Sequence, residues 1–163
     1  MMRHGIWTAI TPALILAACG PGGDGGNDTQ AAATTSEADI RAALVAADAT
    51  QAGYAPDPAF SDVVRAVAGE ADIDMAVAFE PGAKYRLIGR CGTGCDEIAI
   101  IASGPPASGS GQAIYGSSDE GAGAEVSIDF TAQHEKGRLT LTMWKCTAPS
   151  CLAGMRLYKL KVT

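Results

Sequence analysis

The chain has 163 residues, of which 18 are acidic and 12 basic, giving a formal net charge of −6, and 47% of them are hydrophobic. The length suits one domain with a modest core and a tether. From Cys19 to Glu80 there are 11 acidic and 2 basic residues, and from Pro81 to Thr163 there are 7 and 9; the acidic half argues against nucleic-acid binding, which needs a basic face, while the later half suits a solvated sheet or an acidic partner.

Behind Arg3, Gly5 to Ala18 carries no charge and is interrupted only by Thr8, Thr11 and Pro12. A short basic start before an apolar run has the layout of a secretory signal, and the run is shorter than the roughly 20 apolar residues that span a bilayer. Leu16-Ala17-Ala18-Cys19-Gly20 resembles the lipobox of bacterial lipoproteins. The resemblance implies export, removal of residues 1–18 and acylation of Cys19, with Gly20 rather than Asp pointing to the outer membrane, facing the periplasm. Two or more acyl chains are needed for stable attachment, because one binds a membrane only marginally. An ordinary signal peptide would instead leave Cys19 as an unpaired thiol, a liability in a secreted chain. Cleavage removes Arg3 as well and takes the net charge from −6 to −7.

Residues 19–36 are Gly-, Asp-, Ala- and Thr-rich without a large apolar side chain, the composition of a flexible tether. Gly20-Pro21-Gly22-Gly23-Asp24-Gly25 matches G-x-G-x-x-G by letters, but neither strand nor helix frames it, so no dinucleotide site is expected. Residues 37–70 are read as a helical segment packed on the domain. Ser36 is an N-cap before Glu37 and Asp39, with Ile40, Leu44 and Ala47 on one side. Asp57-Pro58 opens a second helix with Phe60, Val63, Val64 and Val67 on one face and Gly69 as its stop.

From Ala71 the period changes to two. Ile73, Met75, Val77 and Phe79 alternate with polar or small residues, as do Tyr85 and Leu87, then Ile98 and Ile100, Gln112 to Tyr115, Val126 to Phe130, Leu139 to Met143, and Tyr158 to Val162. Seven short strands over residues 71–163 predict a mainly β, antiparallel β-sandwich.

Four cysteines remain, in Cys91-Gly92-Thr93-Gly94-Cys95 and Cys146-Thr147-Ala148-Pro149-Ser150-Cys151. Outside the cytoplasm such pairs form disulfides, with three possible connectivities. Cys91–Cys95 and Cys146–Cys151 are favoured because each pair is brought close by its own turn. A Cys₄ zinc site has compatible spacing, but an oxidising compartment competes for the thiols, and no metal or other cofactor is expected.

Phe79 to Cys91, Cys95 to Ile100 and Gly137 to Met143 with Cys146 and Cys151 resemble bacterial pre-peptidase C-terminal-type domains over about residues 70–163. The resemblance implies a small jelly-roll-like sandwich in a secreted setting. Related sequences follow the first cysteine pair with an Asp-Leu-Asp-Leu-like run; Glu97-Ile98-Ala99-Ile100 lacks one acidic position, which removes support for calcium binding there.

Catalytic groups are few. His134 is the only histidine after Cys19, in a polar turn, and no motif matches it to a nucleophile. Asp96-Glu97 and Asp119-Glu120 lack the spacing of a calcium loop. Trp144 is the one large aromatic on an outward strand position, beside Lys145; it marks a contact surface or lies under one of the preceding helices. These readings leave a non-catalytic, lipid-anchored envelope module with a protein partner, a glycan or peptidoglycan binder, or an enzyme, and the first fits the residues best.

Overall fold

The computed structural model describes residues 34–119 and 123–162; residues 1–18, Cys19 and most of the tether lie outside them. Helix α1 spans Glu37–Ala46 and continues as a 3₁₀ turn over Ala47–Thr50. It starts where expected because Ser36 and Asp39 close a capping box: the Asp39 amide donates to Ser36 Oγ at 3.2 Å and the Ser36 amide donates to Asp39 Oδ2 at 2.8 Å, satisfying two donors that a helix start leaves open.

Nine strands follow: β1 Tyr54–Pro56, β2 Val63–Val67, β3 Asp72–Ala78, β4 Lys84–Cys91, β5 Cys95–Gly104, β6 Ala113–Ser117, β7 Glu125–Thr131, β8 Lys136–Cys146 and β9 Cys151–Leu160. The seven strands expected after Ala71 are present. The expected second helix is not. Asp57 closes a turn instead, its Oδ1 accepting from the Ala59 amide at 2.9 Å and its carbonyl from the Phe60 amide at 3.1 Å. Val63 to Val67 then pair with Met155 to Cys151. The Phe/Val spacing fits a helix face, but Val-Val-Arg-Ala-Val is rich in β-branched residues and an open edge of β9 is available to it. Helix therefore ends at Thr50 rather than near residue 70, and the sandwich begins at Tyr54.

All pairings are antiparallel. One sheet has the order β1-β9-β4-β7 with β2 also on β9, and the other the order β3-β8-β5-β6. Because β1 meets β9 at residues 158–160 and β2 meets it at 151–155, the two are segments of one interrupted edge strand. Counted so, the order 2-9-4-7 facing 3-8-5-6 is that of an eight-strand jelly roll.

The main core lies between the sheets, where Leu87, Ile98, Ile100, Leu139, Leu141, Met143, Met155 and Leu157 are buried around an aromatic group of Phe79, Tyr85 and Phe130. A smaller core lies on the outer face of the first sheet, where Ile40, Leu44 and Ala47 of the helical segment cover Val64, Ile88 and Tyr158. Each large aliphatic side chain so buried stabilises by about 1.5–3 kcal/mol.

A polar clamp seals this second core. Arg156 Nε and Nη2 each donate to the Asp48 carboxylate at 2.9 Å, its Nη1 donates to Asp62, and the Tyr158 hydroxyl donates to Asp48 Oδ1 at 2.8 Å. The bidentate guanidinium joins the 3₁₀ turn and the β1–β2 connection to β9. Burial, and next the hydrogen bond to the Asp48 carboxylate, push the Tyr158 phenol above its ordinary value of 10.0. A raised folded value stabilises fully below the unfolded value and is lost as pH rises above it. The stability of the chain should therefore fall as pH climbs beyond about 10, and Tyr158→Phe should flatten that alkaline fall, measured by urea unfolding across the range.

Candidate functional site

The four cysteines sit at strand ends, and the topology brings them to one end of the molecule. β4 and β9 belong to one sheet, β5 and β8 to the other, so the turn after β4 and the turn after β8 both cross between sheets. The bonds are Cys91–Cys95, with Cα atoms 5.9 Å apart, and Cys146–Cys151, at 5.8 Å. The favoured pairing is thus the one formed, and each disulfide ties sheet to sheet.

The two turns also bind one another. Thr147 donates from its amide and from Oγ1 to the Gly94 carbonyl, at 2.7 and 3.0 Å. Gly94 has φ +82° and its Cα faces Thr147 Oγ1 and Cys151 Sγ, a backbone state and a close approach that favour glycine. On the first turn, Thr35 Oγ1 accepts from the Thr93 amide at 2.8 Å and lies 2.6 Å from Thr93 Oγ1. The segment leading into α1 therefore meets the folded domain at the disulfide end.

Trp144 stands beside these turns. Its side chain faces outward, as its place in the alternation predicts, and it is 42% exposed; the helix expected as a possible cover packs on the other sheet. Lys145 donates to Glu97 at 2.5 Å, and this bond holds the lysine ammonium above its ordinary value. Glu97 itself is buried.

The β5–β8 ladder is irregular here. Cys95 pairs with Cys146, Glu97 with Lys145 and Ile98 with Met143, so Asp96 is an extra residue on β5 and Trp144 an extra residue on β8. Such bulges re-aim side chains. Across the β3 side, Glu70 has φ 61°, the only positive value at a non-glycine among the described residues, and its amide donates to the Met143 carbonyl at 2.6 Å. Glu70, Asp96, Trp144, Lys145 and Thr147 line a groove of about 460 Å³.

Of the sequence-derived candidates, Trp144, Lys145 and both cysteine pairs meet at this end. Cys19 lies outside the described residues. Asp96 and Glu97 do not act as a pair, since one is exposed and the other buried under Lys145. Asp119-Glu120 is described only at Asp119. His134 lies in the turn before β8, at the far end of that strand from Trp144, with its Nε2 buried and without a hydrogen bond among the described residues. Glu70 was legible only as the residue after a helix stop; its approach to Trp144 comes from β3–β8 pairing. No described helix is long and apolar enough to cross a membrane.

Closing loops this short removes little chain entropy, about 2 kcal/mol per disulfide. Replacing Cys146 and Cys151 together by serine should cost about that much in urea unfolding and should make Trp144 more accessible to a collisional quencher, while leaving β3–β8 pairing near Ile73 protected from hydrogen exchange.

Comparison with protein-family models and with curated proteins finds no match for this chain, so its functional reading rests on the chemistry of this end of the sandwich.

Proposed function

We propose that this chain is a lipid-anchored, non-catalytic module of the cell envelope that presents the disulfide-closed end of its jelly roll to another protein. The observation that carries the reading is the exposed Trp144 on β8 beside two mutually bonded, disulfide-closed turns. A large exposed aromatic on a rigid support has the character of an interface anchor, because it gives contact area at little cost in conformational entropy. The groove residues with acid–base character are carboxylates and a lysine already engaged by Glu97, and the histidine is remote from them.

The Leu16–Cys19 lipobox supports the anchor, and Gly20 supports outer-membrane sorting. The jelly-roll order fits a kinship with pre-peptidase C-terminal-type domains suggested by the two cysteine turns. In this reading residues 19–36 act as the tether, and Thr35 near its end is hydrogen-bonded to the first cysteine turn.

Mass spectrometry of protein extracted from the envelope should find an N-terminal peptide that begins at Cys19 and carries acyl chains; a peptide with a free Cys19 thiol would overturn the anchor. Cross-linking in intact envelopes should capture a protein neighbour whose yield drops in Trp144→Ala. Recovery of no neighbour would sink the binding role, and retention on purified peptidoglycan that depends on Trp144 would move the assignment to glycan binding.

A further inference from the structure

We infer that the Trp144 groove receives a cationic side chain, an arginine or a lysine, from a basic segment of the partner, an inference that rests on the proposed protein-binding role. Two carboxylates line the groove with Trp144, and a third lies beside it on the same face of the sheet. Glu70 borders the groove from the turn before β3 and Asp96 borders it from the β5 bulge. Asp72 lies on the same outer face, opposite Thr142 and thus next along the ladder from Trp144. All three are exposed, and none takes a hydrogen bond or a close ion pair among the described residues; Asp96 adds only a longer-range attraction to Lys145.

The cation at hand is already neutralised. Lys145 is bound to Glu97 at 2.5 Å, so the surroundings of the ring keep an excess of negative charge. The polypeptide from Cys19 to Glu80 has the same sign, with 11 acidic and 2 basic residues.

The face of an indole attracts a cation through its quadrupole, and of the aromatic side chains it does so best. A guanidinium over Trp144 would keep its edge free to donate to carboxylates on either side, in the fork geometry that suits them. The alternatives fit less well. A neutral sugar could stack on the ring but would partly desolvate the groove carboxylates without balancing their charge, which is unfavourable. An anion would be repelled. A metal ion needs its ligands gathered at one point, and no group of three acidic, histidine or cysteine side chains is close enough to hold one among the described residues. The outer face of the other sheet is covered by α1, whereas this one is open at Trp144, so a peptide can reach the ring directly.

The test follows the indole NMR signal of Trp144 in the full chain, assigned with Trp144→Phe, during titration with a tri-arginine peptide amide, its tri-citrulline counterpart and chitotriose. Citrulline keeps the shape of arginine and removes the charge. The arginine peptide should shift the signal saturably, in the millimolar range for one exposed cation–aromatic contact with flanking carboxylates, and the other two probes should not. Glu70→Gln and Asp96→Asn should each weaken binding about threefold. Trp144→Ala, followed through the Lys145 amide, should weaken it about fivefold. Raising ionic strength about tenfold should weaken it further.

Equal binding of the citrulline peptide, stronger binding of chitotriose, or no shift with the arginine peptide would overturn the inference. Indifference to both carboxylate substitutions would overturn it as well, by placing the peptide elsewhere. These outcomes separate from the fate of the broader proposal. A cross-linked neighbour with no arginine response removes only the cation chemistry. An arginine response with no cross-linked neighbour removes the envelope partner and leaves a cation-selective groove.

Discussion

The ten residues of β9, Cys151 to Leu160, are hydrogen-bonded to β4 along one edge and to β1 and β2 along the other. Their side chains face two cores at once. Met155 and Leu157 fill the space between the sheets, while Arg156 and Tyr158 point to the helical segment and anchor it through Asp48. Losing β9 would strand the edge segments and leave α1 without a surface. It would also open the second disulfide turn, because β9 begins at Cys151. A strand that makes this many non-local contacts forms only after long loops have closed, the slow and cooperative route typical of β-sandwiches.

The two ends of the sandwich are built differently. At one end the connections are a Gly- and Ser-rich loop between β5 and β6 and the polar turn holding His134. At the other, two covalently closed turns bond to each other and to Thr35. Two disulfides in such short loops add only modest global stability. Their larger effect is local, since they fix the relative position of the sheets where Trp144 emerges. Rigidity at an exposed aromatic lowers the ordering cost of binding, which connects the covalent framework to the proposed role.

Apart from a register shift at Ala102–Ser103 in the β5–β6 pairing, the local irregularities of the ladders gather at this end. Reciprocal bulges at Asp96 and Trp144 and the left-handed Glu70 all border one groove, while the β3–β8 and β4–β9 ladders run in unbroken register. Strained or bulged backbone persists only where surrounding structure holds it, and here the disulfides and the Thr147–Gly94 bonds do so.

Much of this was legible in the residues. The Ser36–Asp39 capping box, the period-two runs from Ala71 onward and the outward position of Trp144 depend on local sequence, because caps and alternation are read over a few residues. The Leu16–Cys19 motif is likewise local, and lies outside the described structure. The tertiary structure decided the rest. Phe60, Val63, Val64 and Val67 have spacing that suits a helix, yet β2 is a strand because β9 offers it an edge more than 80 residues away in the chain. The convergence of all four cysteines, with Cys95 opposite Cys146 in the ladder, is likewise tertiary, although each bonds within its own turn as the spacing favoured. Glu70 and Asp96 were ordinary acidic residues in sequence, and became neighbours of Trp144 through pairing between distant strands. Local sequence determines which conformations each segment favours, but a site assembled across strands is set by the register of non-local pairing, which no single segment encodes.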